Sequence, residues 1–332
     1  MRLAVAVLAA LGVAGCASAV QQNDKPFIGI LGAPADVSCV TVVLDSSLHD
    51  PIRAAGGSCF ANLYELWLRA AGARVVGIPH DAFDNAKADL DTMLGSLNGV
   101  LFTGGGLSLA PDTAYYRTGH YIFQQVQAIN DAGVHFPLHG TCMGFEFLSI
   151  LGAGGNASVL QPGFDSEGLT VPLEFTREAK TSTLFGSAPA NILNILATQN
   201  VTSNLHHDGV TPDTYATNAN LSAFYNVLST NTGRQGRRFV STVEAKRYPI
   251  RGTQWHPFEW NPALNLPHSG DAMLAMQYMA DFFVSQARMN DQSVYASPAA
   301  LALAQKYTTY TMKAMPMSSD VLEGYYALLF AS

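Results

Sequence analysis

Apolar positions along this chain follow one rhythm up to about residue 150 and another after it. In the first part, short unbroken apolar runs alternate with longer stretches of helical spacing. Pro26-Phe27-Ile28-Gly29-Ile30-Leu31, Ala73-Arg74-Val75-Val76-Gly77-Ile78 and Gly99-Val100-Leu101-Phe102 read as strands, followed by a fourth at 134–139. Such runs fit strands covered on both faces, as in parallel sheets. Between them, 61–71 carries Leu63, Leu66, Trp67 and Ala70 at helical spacing, and 89–97 and 115–132 read as further helices. Strands alternating with helices predict βαβ units. From about 155 to 241 the runs shorten. Val159-Leu160, 169–173, 225–228 and 239–241 are strand candidates set between turn residues, which predicts an inserted antiparallel section. The run 248–255 is the last expected core strand, and 271–288 the last strong helix. The pattern shows no internal domain boundary, and 291–332 reads as a mostly helical extension of unassigned role.

The N-terminus adds an export signal. Arg2 precedes an apolar stretch at 3–15, and Ala17-Ser18-Ala19 offers a small-x-small cleavage site, so 1–19 is expected to be a signal peptide. The stretch is shorter than the roughly 20 residues that span a bilayer. Val13-Ala14-Gly15-Cys16 also fits a lipoprotein box, an alternative that stays open. No later segment is long and apolar enough to be transmembrane. Export permits disulfides, and Cys39 and Cys59 flank an Asp-, Ser- and Gly-containing loop that a bridge would close. Asn156, Asn200 and Asn220 stand in N-x-S/T sequons.

Composition narrows the function classes. Of 332 residues, 13% are charged, against about 25% in an average soluble domain. Acidic residues outnumber basic ones 25 to 18, for a net charge of -7, which argues against a nucleic-acid partner. The 48% hydrophobic content excludes general disorder. No two of the four cysteines form C-x-x-C, which excludes a zinc ribbon or thioredoxin-type motif.

The chemical signal is Gly140-Thr141-Cys142-Met143-Gly144, between a strand and the apolar run 145–151. A nucleophile between two small residues at a strand-to-helix turn is a nucleophile elbow. The glycines relieve backbone crowding, and the thiol comes to lie at a helix N-terminus. A free thiol has a pKa of about 8.5, so it needs a base as well. His256, in Gln254-Trp255-His256-Pro257 at the end of the last core strand, is the best candidate. Parallel strands present their C-terminal ends to one crevice, which can bring it to Cys142. Gly104-Gly105-Gly106, directly after a strand, can turn backbone N–H groups toward a developing oxyanion, with the Met143 amide as second donor. No Gly-Lys-Ser/Thr follows, so these glycines are not a phosphate loop. His206-His207-Asp208 has no pattern suited to a shared metal, and neither metal nor cofactor is expected.

These motifs, in this order, resemble the γ-glutamyl hydrolase family of the class I glutamine amidotransferase-like superfamily. The resemblance covers about 25–290. Its anchors include Ala70-Ala71-Gly72-Ala73-Arg74-Val75-Val76, Phe136-Pro137-Leu138-His139-Gly140-Thr141-Cys142-Met143-Gly144-Phe145-Glu146, Asn226-Val227-Leu228-Ser229-Thr230-Asn231-Thr232 and Gln254-Trp255-His256-Pro257. It implies a three-layer α/β/α, flavodoxin-like fold with a mostly parallel central sheet. It also implies cleavage of γ-glutamyl peptide bonds in folylpoly-γ-glutamates, with Cys142 as nucleophile, His256 as base and Gly105 and Met143 as oxyanion amides. Glu146 and His206 fall on positions near the substrate. The implied compartment is the secretory pathway, either extracellular or lysosomal and vacuolar, and a homodimer is left open.

One departure bears on the chemistry. The family reads His-Pro-Glu where this chain reads His256-Pro257-Phe258-Glu259-Trp260. Either Glu259 orients His256 in place of the usual glutamate, or the site works as a Cys-His dyad. A glutaminase-type amidotransferase and a catalytically weak folate-binding relative are the competing expectations.

Overall fold

The computed structural model describes residues 23–35, 57–258 and 266–308, and the backbone of two further strands, 311–315 and 325–330. The expected leader, Cys16, Cys39 and Glu259 lie outside the described residues. Fourteen strands follow one another along the described chain: β1 (Phe27–Leu31), β2 (Ala33–Pro34), β3 (Ser58–Ala61), β4 (Arg74–Ile78), β5 (Gly99–Phe102), β6 (Leu138–Thr141), β7 (Leu169–Val171), β8 (Glu174–Phe175), β9 (Thr202–Asn204), β10 (Tyr225–Thr232), β11 (Arg238–Ala245), β12 (Ile250–Thr253), β13 (Thr311–Met315) and β14 (Tyr325–Phe330).

Eight of them form the central sheet, in the order β4-β1-β5-β6-β12-β11-β10-β8. From β4 to β12 all pairs are parallel, with Ile28 opposite Val75 and Gly99, Val100 opposite Leu138, and Gly252 opposite Gly140. Every residue of β1, β5, β6 and β12 is buried, as sandwiching between helical layers requires. On one face, Trp67 of the helix Asn62–Ala70 and Phe283 of the helix Gly270–Ala287 pack against His139. Trp67 Nε1 also donates to the Met276 carbonyl at 3.1 Å. On the other face, Phe147 of the helix Met143–Gly152 stacks on Phe102 and meets Tyr115 and Tyr116 of the helix Ala114–Asp131. Thr113 caps that last helix by accepting from the Tyr116 N–H.

The inserted antiparallel section is present: β10 pairs with β11, and β11 with β12, Thr242 opposite Thr253, so it extends the central sheet, while β7 and β9 pair apart from it. Two expectations need correction. Val159 belongs to a short 3₁₀ turn, Ala157–Val159, capped by Asn156, instead of a strand. Among the described residues the extension is helical only at Pro298–Thr308 and a short turn at Val294–Ala296. It also carries β13 and β14, and β14 runs antiparallel to β3, Leu329 opposite Cys59. A free sheet edge at β3 converts this apolar tail to strand, which helical periodicity alone does not reveal.

Asn98 joins the extension to the sheet. Fully buried, it accepts from the Phe27 N–H at 2.8 Å and donates to the carbonyls of Asn290 (3.0 Å) and Gln292 (2.8 Å). Asn98→Ala strands the buried Phe27 N–H and leaves the Asn290 and Gln292 carbonyls to the Asn23 side-chain amide alone among these donors. It should lower unfolding free energy by about 2–3 kcal/mol in a urea titration; a loss under about 0.5 kcal/mol would contradict this bridging role.

Candidate active site

The site begins with a steric constraint. β6 ends at Thr141, the helix Met143–Gly152 begins two residues on, and Cys142 alone makes the turn, with φ 53° and ψ −112°. It is the one non-glycine residue with positive φ among those described. A Cβ on Gly140 would come within 2.5 Å of the Gly144 carbonyl oxygen, and one on Gly144 within 2.3 Å of the Phe102 carbonyl oxygen. Only glycine fits at either position. The Cys142 N–H donates to the Thr253 carbonyl of β12 at 2.8 Å, and its own carbonyl accepts the first helical bond from Glu146 at 3.0 Å. Cys142 is a free thiol, buried, with Sγ 3.9 Å from the Leu205 carbonyl oxygen.

The loop after β5 closes over the thiol. The Gly104 N–H donates to the Tyr64 hydroxyl at 2.5 Å. A Cβ on Gly104 would sit 3.2 Å from both Cys142 Cβ and His256 Cε1, so the thiol, the imidazole and the loop meet at that point. Backbone N–H groups of Gly105 and Met143 reach the sulfur and favour its ionised form. Burial and the Glu146 carboxylate outweigh them and hold the thiol well above its ordinary range at rest. His256 follows β12, and its N–H donates to the Ser203 carbonyl at 2.8 Å. Burial and neighbouring His206 push its imidazole down to about 3, so the resting ring is neutral.

Glu146, one turn beyond Cys142, is 7% exposed and accepts from Gln254 Nε2 at 2.9 Å. Burial, with some repulsion from Asp208, pushes its carboxyl up to about 7. His206 is buried against Phe239 and Phe164. Its Nδ1 lies 2.7 Å from the Asp208 carbonyl, which assigns the proton to that nitrogen, while Nε2 has no partner among the described residues. Burial pushes this ring down to about 4.

The structure thus brings together Cys142, His256, Glu146, His206, Gly105 and Met143 from one end of the sheet. Glu259 lies outside the described residues. Cys59 is disulfide-bonded and buried on β3, and Cys39 is outside the described residues. Asn156, Asn200 and Asn220 are all exposed. Sequence reasoning missed Tyr64. The helix Asn62–Ala70 buries Tyr64, Trp67 and Leu68 and leaves Leu66 48% exposed, a stripe one position away from the expected one. Tyr64 also packs on Phe258, ring centroids 4.5 Å apart, which ties the loop after β5 to the segment carrying His256.

Hydrolysis through a sulfur nucleophile calls for this kind of geometry, and the chain is a cysteine-dependent hydrolase on a mostly parallel α/β sheet. It belongs to the peptidase C26 family, whose model matches residues 37–258. Gamma-glutamyl hydrolase B of Dictyostelium discoideum is 34% identical over 301 residues, covering 88% of this chain and 81% of that protein. Gamma-glutamyl hydrolase of Mus musculus is 37% identical over 239 residues, covering 71% and 73% respectively. Among solved structures, a putative GMP synthase component from Thermoplasma acidophilum aligns over 79% of this chain and 94% of that one, at 14% identity and a TM-score of 0.44.

The Glu146 carboxyl sets a pH test. Its ordinary value is 4.5 and its folded value about 7. Between the two, the folded chain holds a proton that the unfolded chain has lost, so this group destabilises the fold as pH rises. His206 and His256, both pushed down from 6.5, act in the opposite direction below that value. Glu146→Gln is neutral throughout and isolates the carboxyl. Its melting temperature relative to wild type should climb from about pH 4.5 to about pH 7.5, and a constant difference would mean an unperturbed carboxyl.

Proposed function

We propose that this chain hydrolyses the γ-glutamyl peptide bonds of folylpoly-γ-glutamates and related γ-glutamyl conjugates, through a thioester on Cys142. The supporting observation is the convergence on one strained thiol of the Gly105 and Met143 amides, with His256 across Gly104. Likeness to gamma-glutamyl hydrolases over most of the chain supports the substrate class.

In this scheme His256 takes the thiol proton as Sγ attacks the γ-carbonyl carbon. The carbonyl oxygen becomes an oxyanion held by the two amides. Collapse breaks the C–N bond, and His256 gives its proton to the leaving amine. Water then attacks the thioester while His256 accepts one of its protons. The acid is released and the proton returns to sulfur. The resting neutral thiol and imidazole suit this order, because charge forms only when a carbonyl is present to absorb it. Glu146 and His206 lie where they can contact the glutamyl group. Glu259 is assigned to orient His256; Glu259→Ala would then lower kcat, whereas a Cys-His dyad would be indifferent to it. We assign 1–19 to an export signal and Cys39–Cys59 to a bridge in the exported chain, with glycans at Asn156, Asn200 and Asn220. Among the described residues no helix is long and apolar enough to cross a membrane.

The test is product analysis on a pteroyl-pentaglutamate, with free glutamine as a parallel substrate. Wild type should release glutamate or short poly-γ-glutamates and leave glutamine largely intact. Cys142→Ala should reduce release by at least about 10⁴-fold. Turnover of glutamine alone would turn the reading to a glutaminase, and full activity of Cys142→Ala would end it.

A further inference from the structure

The scheme above leaves one polar side chain beside His256 unused. Ser203, the middle residue of β9, forms an antiparallel bridge with His256 on one side and pairs with Thr170 of β7 on the other. Directly opposed residues point to the same face of a sheet, with Cβ atoms about 4.5–5.5 Å apart. Thr170, Ser203 and His256 therefore form one row, with the Ser203 and His256 side chains on the same face.

Its neighbours on β9 differ from it in part, although Asn204 Oδ1 also lacks a partner among the described residues. Alternation turns Thr202 and Asn204 to the opposite face, where both bond to backbone: Thr202 Oγ1 donates to the Val171 carbonyl at 2.5 Å, and Asn204 Nδ2 to the Thr202 carbonyl at 3.1 Å. Ser203 is fully buried, and its Oγ makes no hydrogen bond among the described residues. Burying a hydroxyl without a partner costs stability, so a persistent one calls for a functional reason.

The reaction supplies that reason. When His256 takes the thiol proton, a cation forms in a site closed to bulk water, and its N–H groups become charge-assisted donors. Burial and His206 both oppose this charge. A lone pair that gains little from the neutral ring, and much from the protonated one, acts selectively on the charged state. We propose that Ser203 is a positioning residue for His256, its hydroxyl accepting a ring N–H of the imidazolium and holding the ring between sulfur and leaving amine. No bond to Ser203 forms or breaks. The proton passes from Cys142 to His256 and on to the amine, and Ser203 keeps its own. The other ionisable groups acting on this pair are His206 on the ring, and Glu146 and Glu167 on the thiol.

This role presupposes Cys142 as nucleophile and His256 as base, and the experiment separates the two claims. Full-length Ser203→Ala, Ser203→Thr and Cys142→Ala are compared with wild type for kcat and KM on a γ-glutamyl substrate and for melting temperature. The pH dependence of iodoacetamide alkylation of Cys142 is followed in wild type and the Ser203 variants. Ser203→Ala should lose at least about tenfold in kcat with little change in KM. Its alkylation should slow, because the thiolate–imidazolium pair becomes scarcer. Its melting temperature should stay level or rise, since an unsatisfied hydroxyl has been removed. Ser203→Thr keeps the hydroxyl and should retain most of the activity. A wild-type kcat and alkylation profile in Ser203→Ala overturns the proposal. So do equal losses in both Ser203 variants with lowered melting temperatures, which would mark a packing role. Turnover by Cys142→Ala would instead defeat the presupposed mechanism.

Discussion

The contact between the first turn of the helix Met143–Gly152 and the end of β5 leaves no room for a side chain, and the site follows from it. Gly144 sits against the Phe102 carbonyl and Gly140 against Gly144 itself. With the helix so close to the sheet, the chain must reverse direction within a single residue, and that residue is Cys142. Holding a non-glycine residue at such a φ costs about 1–3 kcal/mol. The hydrogen bond from Cys142 to Thr253 and the buried helix that follows offset it. In return the thiol is fixed at the carboxyl ends of β5, β6 and β12. The loop after β5 and the segment after β12 can reach it there without any further turn.

Burial then determines the electrostatics. Cys142 and His256 are nearly inaccessible, and the same desolvation that raises the thiol lowers the imidazole. Neither is charged at rest, so the site does not rely on a standing ion pair. On our reading it relies on groups whose value appears only with charge: two amides at the sulfur and a hydroxyl at the ring. Such interactions act on the transition state more than on the ground state, which is where rate is gained. Glu146 works against the thiolate when ionised. Its own burial delays that ionisation to about 7, which keeps the opposition small on the acidic side.

How much of this was legible in the sequence depended on whether the cause was local. β1 and β5 could be read because a strand covered on both faces needs an unbroken apolar run, whereas β6 runs Leu138–Thr141 instead of the expected 134–139, its residues Leu-His-Gly-Thr forming no such run. The elbow could be read because its residues, Gly140 to Gly144, are contiguous, and His256 because parallel topology gathers strand ends. β10 and β11 were read too short, because Ser229, Thr230, Asn231 and Thr232, and then Thr242 and Glu244, interrupt the apolar pattern, and at that length their succession through short turns into β12 was hidden. Tyr64 was hidden because its ring occupies an apolar stripe on the helix Asn62–Ala70, and periodicity does not show that its hydroxyl has a backbone partner in another loop. Ser203 was hidden because a serine in a short strand looks the same whether or not its neighbour across the bridge is a histidine.

β12 joins the two halves of this account. At its start, Arg251 pairs across the sheet with Glu244, and that carboxylate also accepts from the Thr183 N–H and hydroxyl and from the Leu184 N–H. Breaking one partner of so buried a pair costs several kcal/mol, so the register of β12 is fixed firmly there. Beyond its other end the polar groups are less satisfied: the Gln254 side-chain oxygen and, on the strand bridged to His256, the Ser203 hydroxyl lack partners among the described residues. A chain can hold unsatisfied groups in a defined geometry only if something else fixes that geometry. In β12 the saturated end does this, some distance from the chemistry. On our reading the Ser203 lone pairs at the open end serve a charge that forms only during turnover. The one-residue turn at Cys142 and the unsatisfied groups beyond β12 thus have a common origin, since both sacrifice local stability at the carboxyl end of the sheet to a scaffold that secures it from the amino end.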